Sequence, residues 1–215
     1  NQRILRGVWS HRRKTTPSGE VYRYRSRLCV DGSQQQYGID YNETYSPVVQ
    51  WSTVRILMIL AKIFKMKMRQ VDYVQAFPQA KLPEGETIFM EIPEGFDVGD
   101  KDASCHCLWL LKNCYGTKQA VFNWNNYLTA GLQTLGFRQS EHDQCLFLKD
   151  DIICVIYVDD TVFFAKDDKT IDKMITALKT LNFDLTDEGD VEAFLGIKIE
   201  ELGDGRLKMS QPDLI

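Results

Sequence analysis

Long apolar runs are missing from this chain. The longest, around Leu57 and Val155, are broken by charges well before the roughly 18–20 residues needed to cross a bilayer, so no membrane span is expected. A secretory leader is missing too: Arg3, Arg6, Arg12, Arg13 and Lys14 are not followed by the apolar stretch that a signal peptide carries, and nothing marks the chain for export. Regular cysteine spacing is absent. The six cysteines, at 29, 105, 107, 114, 145 and 154, read as reduced intracellular thiols rather than a disulfide framework. Cys105-His106-Cys107 with Cys114 lacks a CxxC knuckle and a matched second pair, which argues against zinc. There is no internal repeat and no low-complexity linker. Net positive charge is lacking as well, and the formal charge of -4 taken as a sum runs against a nucleic-acid partner.

What is present points elsewhere. The 215 residues suffice for one sizeable core or two packed subdomains of ordinary soluble composition. Charge is unevenly distributed: Arg3, Arg6, Arg12, Arg13, Lys14, Arg23, Arg25 and Arg27 face only Glu20 at one end, whereas acids dominate from 184 to 201. The basic end is either a phosphate-binding surface or a solvated tail.

Alternation over 21–30, after a Pro17-Ser18-Gly19 turn, predicts a strand of a cationic hairpin. Ser52 is expected to cap a helix whose buried stripe is Val54, Leu57, Met58, Ala61 and Phe64, with Lys62, Lys65 and Lys67 near its carboxyl end. Strands are expected at 68–73 and 87–92, separated by a turn at 83–86. A second helix is expected at 119–135, with Val121, Trp124, Leu128, Leu132 and Leu135 inward and Gly136 ending it. Residues 145–148, 152–158 and 161–165 read as a meander. A third helix then buries Ile171, Met174, Ile175, Leu178 and Leu181, and a hairpin of 194–200 with 206–210 turns at 203–205. This order fits an α+β fold, a split βαβ antiparallel sheet with helices on one face.

The segment 152–165 is apolar except for Asp159 and Asp160 at its centre. Adjacent carboxylates there repel each other and lose hydration unless they form an exposed turn or share a cation. A plain Asp-Asp turn is one reading. The other gains from Asp72, which ends a second short strand between Val71 and Tyr73, where β-propensity disfavours Asp. If that strand ends beside the 159–160 hairpin, three carboxylates meet at a site suited to hard divalent cations. Alternation keeps Asp159 and Asp160 from equal roles, and we expect Asp72 and Asp159 to bridge, with Asp160 the looser ligand.

Several blocks resemble the reverse transcriptases of copia-type retrotransposons: Tyr157-Val158-Asp159-Asp160 as the YxDD box, the segment 40–48 (DYNETYSPV), Gln70-Val71-Asp72 with Ala76-Phe77, the run 112–120 (KNCYGTKQA), and Phe194-Leu195-Gly196-Ile197. They occur in order across 23–211. The resemblance implies a right-hand polymerase, with fingers at 1–47 and 80–122, palm at 48–79 and 123–202, and 203–215 starting the link to an absent thumb. It implies RNA-directed and DNA-directed DNA synthesis with two Mg²⁺ ions, replaceable by Mn²⁺, held by Asp72, Asp159 and Asp160. Arg27, assisted by Arg25, falls where these enzymes place a cation on the incoming triphosphate. Phe77 stands at the steric gate under the sugar, against the plainer reading of a core residue. Tyr73 and Gln119 match positions near the nucleotide, and Phe194 to Ile197 match the primer grip. Pro78, Ala80 and Val121-Phe122-Asn123 depart from the family pattern, and Lys179 is the nearest candidate for a general acid. The expected partners are RNA or DNA template with primer, dNTP, and the ribonuclease H and integrase of a Pol polyprotein. The expected location is a cytoplasmic virus-like particle, the product being destined for the nucleus. The rivals are a non-catalytic binding module and a two-metal nuclease.

Overall fold

The computed structural model of the chain describes residues 3–16, 19–99, 102–203 and 206–211. In chain order the strands are β1 Ile4–Leu5, β2 Gly7–Thr15, β3 Val21–Val30, β4 Lys67–Tyr73, β5 Ile88–Glu91, β6 Cys107–Leu110, β7 Arg138–Gln139, β8 Leu146–Lys149, β9 Ile152–Tyr157, β10 Asp160–Ala165, β11 Leu185–Asp190, β12 Ala193–Phe194, β13 Ile197–Glu201 and β14 Leu207–Ser210. The helices are α1 Trp51–Ile63, α2 Ala76–Gln79, α3 Ala120–Thr134 and α4 Asp168–Thr180. No helix among the described residues is long and apolar enough to cross a membrane. The chain divides into two compact units, Asn1–Ser46 with Phe77–Trp124, and Pro47–Ala76 with Asn125–Ile215.

The first unit holds the β2-β3 ribbon and a small sheet ordered β1-β5-β6, in which β1 joins β5 in parallel and β6 joins it antiparallel. Its core is Leu5, Val30, Ile88 and Met90, sealed by Leu28, Leu82, Leu108, Leu110 and Cys114.

The second unit is built on a six-stranded sheet ordered β11-β4-β10-β9-β8-β7. β10 and β11 both run antiparallel to β4 and flank it, so β10, α4 and β11 form a split βαβ unit around β4. The interior position of β10 follows from its sequence: Val162, Phe163, Phe164 and Ala165 are all buried, as a strand covered on both faces requires. α4 is amphipathic, burying Ile171, Met174, Ile175 and Leu178, and Asp167 caps it by accepting from the Thr170 amide at 2.9 Å. Arg69 on β4 ties α4 to β11, pairing with Asp168 at 2.8 Å, with Asp172, and with Asp187 at 3.3 Å. In α3, Leu128 and Leu132 are fully buried, each contributing about 1.5–3 kcal/mol. Gly131 lets the Phe183 ring approach so closely that a β-carbon there would sit 2.4 Å from it.

The structure departs from the sequence expectations in several places. α1 begins at Trp51, so Ser52 lies inside its first turn and not at the cap, and Asp143 braces that turn by accepting from the Gln50 amide at 3.0 Å and the Thr53 hydroxyl at 2.6 Å. Phe64, expected in the buried stripe, lies past the helix end and is 66% exposed. The stretch 194–200 is not one strand: Leu195 and Gly196, at φ 54° and 74°, turn β12 into β13. The polar edge strand β11 lacks the alternation that would have announced it. The turns expected at Pro17-Ser18 and at Asp204-Gly205 lie outside the described residues.

Candidate active site

The end of the central sheet carries Asp72 and Asp160, and the adjoining turn carries Asp159. β4 and β10 pair with Asp72 directly opposite Asp160, and β9 closes the other side with Tyr157 opposite Asp160. Directly opposed residues point to the same sheet face, with β-carbons about 4.5–5.5 Å apart. Between Tyr157 and Asp160 the turn is made by Val158 and Asp159, and the Asp159 carbonyl accepts from the Tyr73 amide at 3.3 Å. The hairpin tip is thereby tied to β4 beside Asp72. Val158 sits at φ 56°, a conformation that costs a β-branched residue about 1–2 kcal/mol.

The three carboxylates differ in surroundings. Asp160 and Asp72 are half-buried, whereas Asp159 is exposed. Burial pushes the Asp160 carboxyl above its ordinary value, and the charges of Asp159 and Glu188 push the same way against a bond from Gln70. That bond runs from Gln70 Nε2 to Asp160 Oδ1 at 3.3 Å. Gln70 had no assigned role in the sequence, although standing two residues before Asp72 on one strand puts it on the same face. Among the described residues, no three His, Cys, Asp or Glu side chains stand close enough to form a ligand set.

Tyr73 departs from expectation. Its ring is 2% exposed and lies edge-on to Phe183 at 5.9 Å, so the side chain packs the core and is not available to a nucleotide. Burial pushes its phenol above the ordinary value.

In the first unit the β2-β3 register collects the cations. Arg12 lies opposite Arg25 and Lys14 opposite Arg23, with Arg27 opposite Ser10, so these five cations share one face of the ribbon. Like charges directly opposed destabilise a sheet, so this face carries a concentration of positive charge at a cost to the ribbon. Arg25 and Arg27 are half-buried, and the Arg27 guanidinium carbon lies 5.1 Å from the Tyr115 ring centre. Phe77, also half-buried, opens α2 and packs on the same ring at 5.0 Å.

Gln119 is the second correction. It is fully buried, donating to the Asp40 carbonyl at 2.9 Å and Glu86 Oε2 at 3.2 Å and accepting from Gln35 Nε2 at 3.0 Å. An amide so engaged, with both of its N–H groups spent, holds the 35–40 loop in place. Asn123, in the 121–123 stretch that departs from the family pattern, donates to Asn113 Oδ1 at 2.8 Å, and Asn113 in turn donates to the carbonyls of Ala80 and Lys81, both at 3.0 Å. At the expected primer-grip position, Phe194 is buried beneath the tight turn, Leu195 and Ile197 are half-buried, and Gly196 is exposed at its tip. Lys179 lies exposed in the last turn of α4, where a cation complements the helix dipole.

Comparison with known proteins places these features in a lineage. The chain is 34% identical over 221 aligned positions to the Retrovirus-related Pol polyprotein from transposon TNT 1-94 of Nicotiana tabacum, covering 100% of this chain and 16% of that protein. It is 33% identical over 207 positions to the Retrovirus-related Pol polyprotein from transposon RE2 of Arabidopsis thaliana, covering 94% of this chain and 14% of that one. The Ty1-H Gag-Pol polyprotein of Saccharomyces cerevisiae matches at 26% over 147 positions, 66% of this chain and 8% of that protein. The chain thus spans about one-sixth or less of the length of these relatives. Residues 1–215 match the family described as reverse transcriptase (RNA-dependent DNA polymerase), and the plant relatives are Pol polyproteins of the copia type. With the whole chain matched and the acid-bearing sheet end in hand, the protein belongs to the reverse transcriptase family, on its copia-type branch.

Proposed function

We propose that this chain is the fingers and palm of an RNA-directed and DNA-directed DNA polymerase in retrotransposon replication, adding deoxynucleotides to a primer 3′-hydroxyl. The observation that carries the reading is the pairing of Asp72 with Asp160 beside the Asp159 turn. We assign 1–47 and 80–122 to the fingers and 48–79 and 123–202 to the palm, close to the division into two compact units.

The donor chemistry fits two hard divalent cations of the Mg²⁺ type, with Mn²⁺ as a substitute, because all three side chains are carboxylates and Asp160 is strained by burial and by Asp159. Asp72 and Asp159 would hold them, with Asp160 the looser ligand, once a cation removes the repulsion between the acids. Bound there, the ions would supply activation of the attacking oxygen and neutralisation of charge on the leaving pyrophosphate. The chain's own residues do the rest. Arg27, with Arg25, pairs with triphosphate oxygens through its planar fork. The Phe77 ring fills the space that a 2′-hydroxyl needs. The Phe194 to Ile197 hairpin orients the primer end, which lowers the barrier by position. Arg12, Lys14 and Arg23, on the same face of the ribbon, fit the phosphates of a template strand. In this reading the chain works with the other domains of a Pol polyprotein, ribonuclease H and integrase among them. Synthesis takes place in a cytoplasmic virus-like particle, and the DNA product is destined for the nucleus.

Primer extension by the 215-residue chain with Mg²⁺ tests the reading. Asp159→Asn and Asp72→Ala should each lower incorporation at least ~100-fold, the scale set by removing a charge-stabilising group from a transition state. Mn²⁺ binding, followed by paramagnetic resonance, should weaken in both variants. Unchanged incorporation by Asp159→Asn sinks the proposal; oligonucleotide binding without incorporation in the parent chain would favour a binding module instead.

A further inference from the structure

Tyr115 sits between the two first-unit residues assigned to the incoming nucleotide. Its ring lies 5.1 Å from the Arg27 guanidinium carbon and 5.0 Å from the centre of the Phe77 ring. Arg27 forms no ion pair among the described residues, so this aromatic face is the contact that holds its guanidinium. A cation resting on a ring keeps its N–H groups for a second partner, because the attraction uses the ring face and not a hydrogen bond.

The backbone beneath Tyr115 is fixed. Its carbonyl accepts from the Val30 amide at 2.7 Å, at the end of the strand that carries Arg27. Gly116 follows at φ 88°, and a β-carbon there would stand 2.1 Å from the Val30 carbonyl oxygen. From the other side, a β-carbon on Gly32 would stand 2.1 Å from the Gly116 carbonyl oxygen. Thr117 closes the turn, its hydroxyl donating to the Cys114 carbonyl at 2.8 Å. Only glycine fits at these two approaches, so the ring is presented from a rigid corner rather than a loose loop.

We propose that Tyr115 is a positioning and specificity-determining residue of the nucleotide site: one ring sets the Arg27 fork for the triphosphate and the Phe77 edge for the sugar, coupling affinity to sugar selection. The inference rests on the reading of Arg27 and Phe77 given above. Gln119, buried and committed to its neighbours, leaves that task to Tyr115. The phenol hydroxyl plays no part in either ring contact, so phenylalanine should serve in its place.

Steady-state single-nucleotide incorporation with dNTP and rNTP separates the outcomes. Tyr115→Leu, which keeps bulk but removes the ring, should raise KM for dNTP about two- to fivefold. The same variant should lower the preference for dNTP over rNTP about two- to tenfold, with kcat for dNTP little changed. Tyr115→Phe should restore both values toward those of the parent. On an Arg27→Ala background, Tyr115→Leu should add no further rise in KM, a non-additivity that a general loss of packing would not produce. Circular dichroism melting of each variant checks the fold. If Tyr115→Leu leaves KM and sugar preference at parental values while Arg27→Ala and Phe77→Ala shift theirs, the coupling is wrong and the polymerase reading stands. If Arg27→Ala and Phe77→Ala also change nothing, both fall together.

Discussion

Asp160 carries the sharpest conflict between stability and activity at the level of a single residue. Burial and the neighbouring Asp159 and Glu188 raise its carboxyl above the ordinary 3.8, so folding favours its protonated form. The sign follows from linkage. Its stabilising contribution is full below the ordinary value and is lost as pH rises through the elevated one. Asp160→Asn removes that charge, and like charges opposed on a sheet cost a few tenths to about 1 kcal/mol. In chelator at neutral pH the variant should therefore melt about 1–4 °C above the parent. The gap should close as the pH falls below the ordinary carboxylate range, and also when Mg²⁺ is added to the parent. Thermal melts at several pH values check it; a variant less stable than the parent in chelator would contradict the argument. Tyr73 and Gln119 teach a second lesson at this scale. Their residue types suit a nucleotide site, but burial of the Tyr73 ring and of the Gln119 amide turns both into structural parts. No property of the isolated residue foretells that.

Among the elements, α1 shows how a distant residue completes a local structure. Asp143 is 4% exposed and accepts from the Gln50 amide, the Thr53 hydroxyl and the Cys145 amide, at 3.0, 2.6 and 2.9 Å. Removing it leaves buried donors without an acceptor, which costs about 1–3 kcal/mol for such a group. Asp143→Ala should lose about 2–3 kcal/mol in urea unfolding at neutral pH. Burial, aided by the Asp143 charge, pushes the Cys145 thiol up to about 12. The same variant should therefore alkylate faster at Cys145, and a stability equal to the parent's would refute the bracing role. The stripe Val54, Leu57, Met58 and Ala61 was legible in the sequence because helical periodicity is local. The Asp143 brace was not, since it comes from 93 residues away.

Across the whole molecule, charge distribution matters more than its sum. The net charge is -4, yet one ribbon face carries Arg12, Lys14, Arg23, Arg25 and Arg27 with no acid among them. Each cation set on a phosphate displaces about 0.7–0.9 counterions. Replacing Arg12, Lys14 and Arg23 together with alanine should then reduce the slope of log affinity against log salt by about 2 for a single-stranded oligonucleotide. Fluorescence anisotropy across a potassium chloride series checks it, and an unaltered slope would rule out this face as the phosphate surface.

Periodicity and chemistry, read along the chain, were enough to locate most strands and the three long helices, to single out Asp72, Asp159 and Asp160, and to reveal the family through its ordered blocks. Both kinds of information are local, carried by a few successive side chains. Tertiary structure alone decided that Asp160 is the acid opposite Asp72, that polar β11 joins the sheet, that Tyr115 lies against Arg27, and that Asp143 braces the start of α1. Register and burial select partners from distant parts of the chain, and a one-residue slip in register would reverse every face while leaving the local pattern intact.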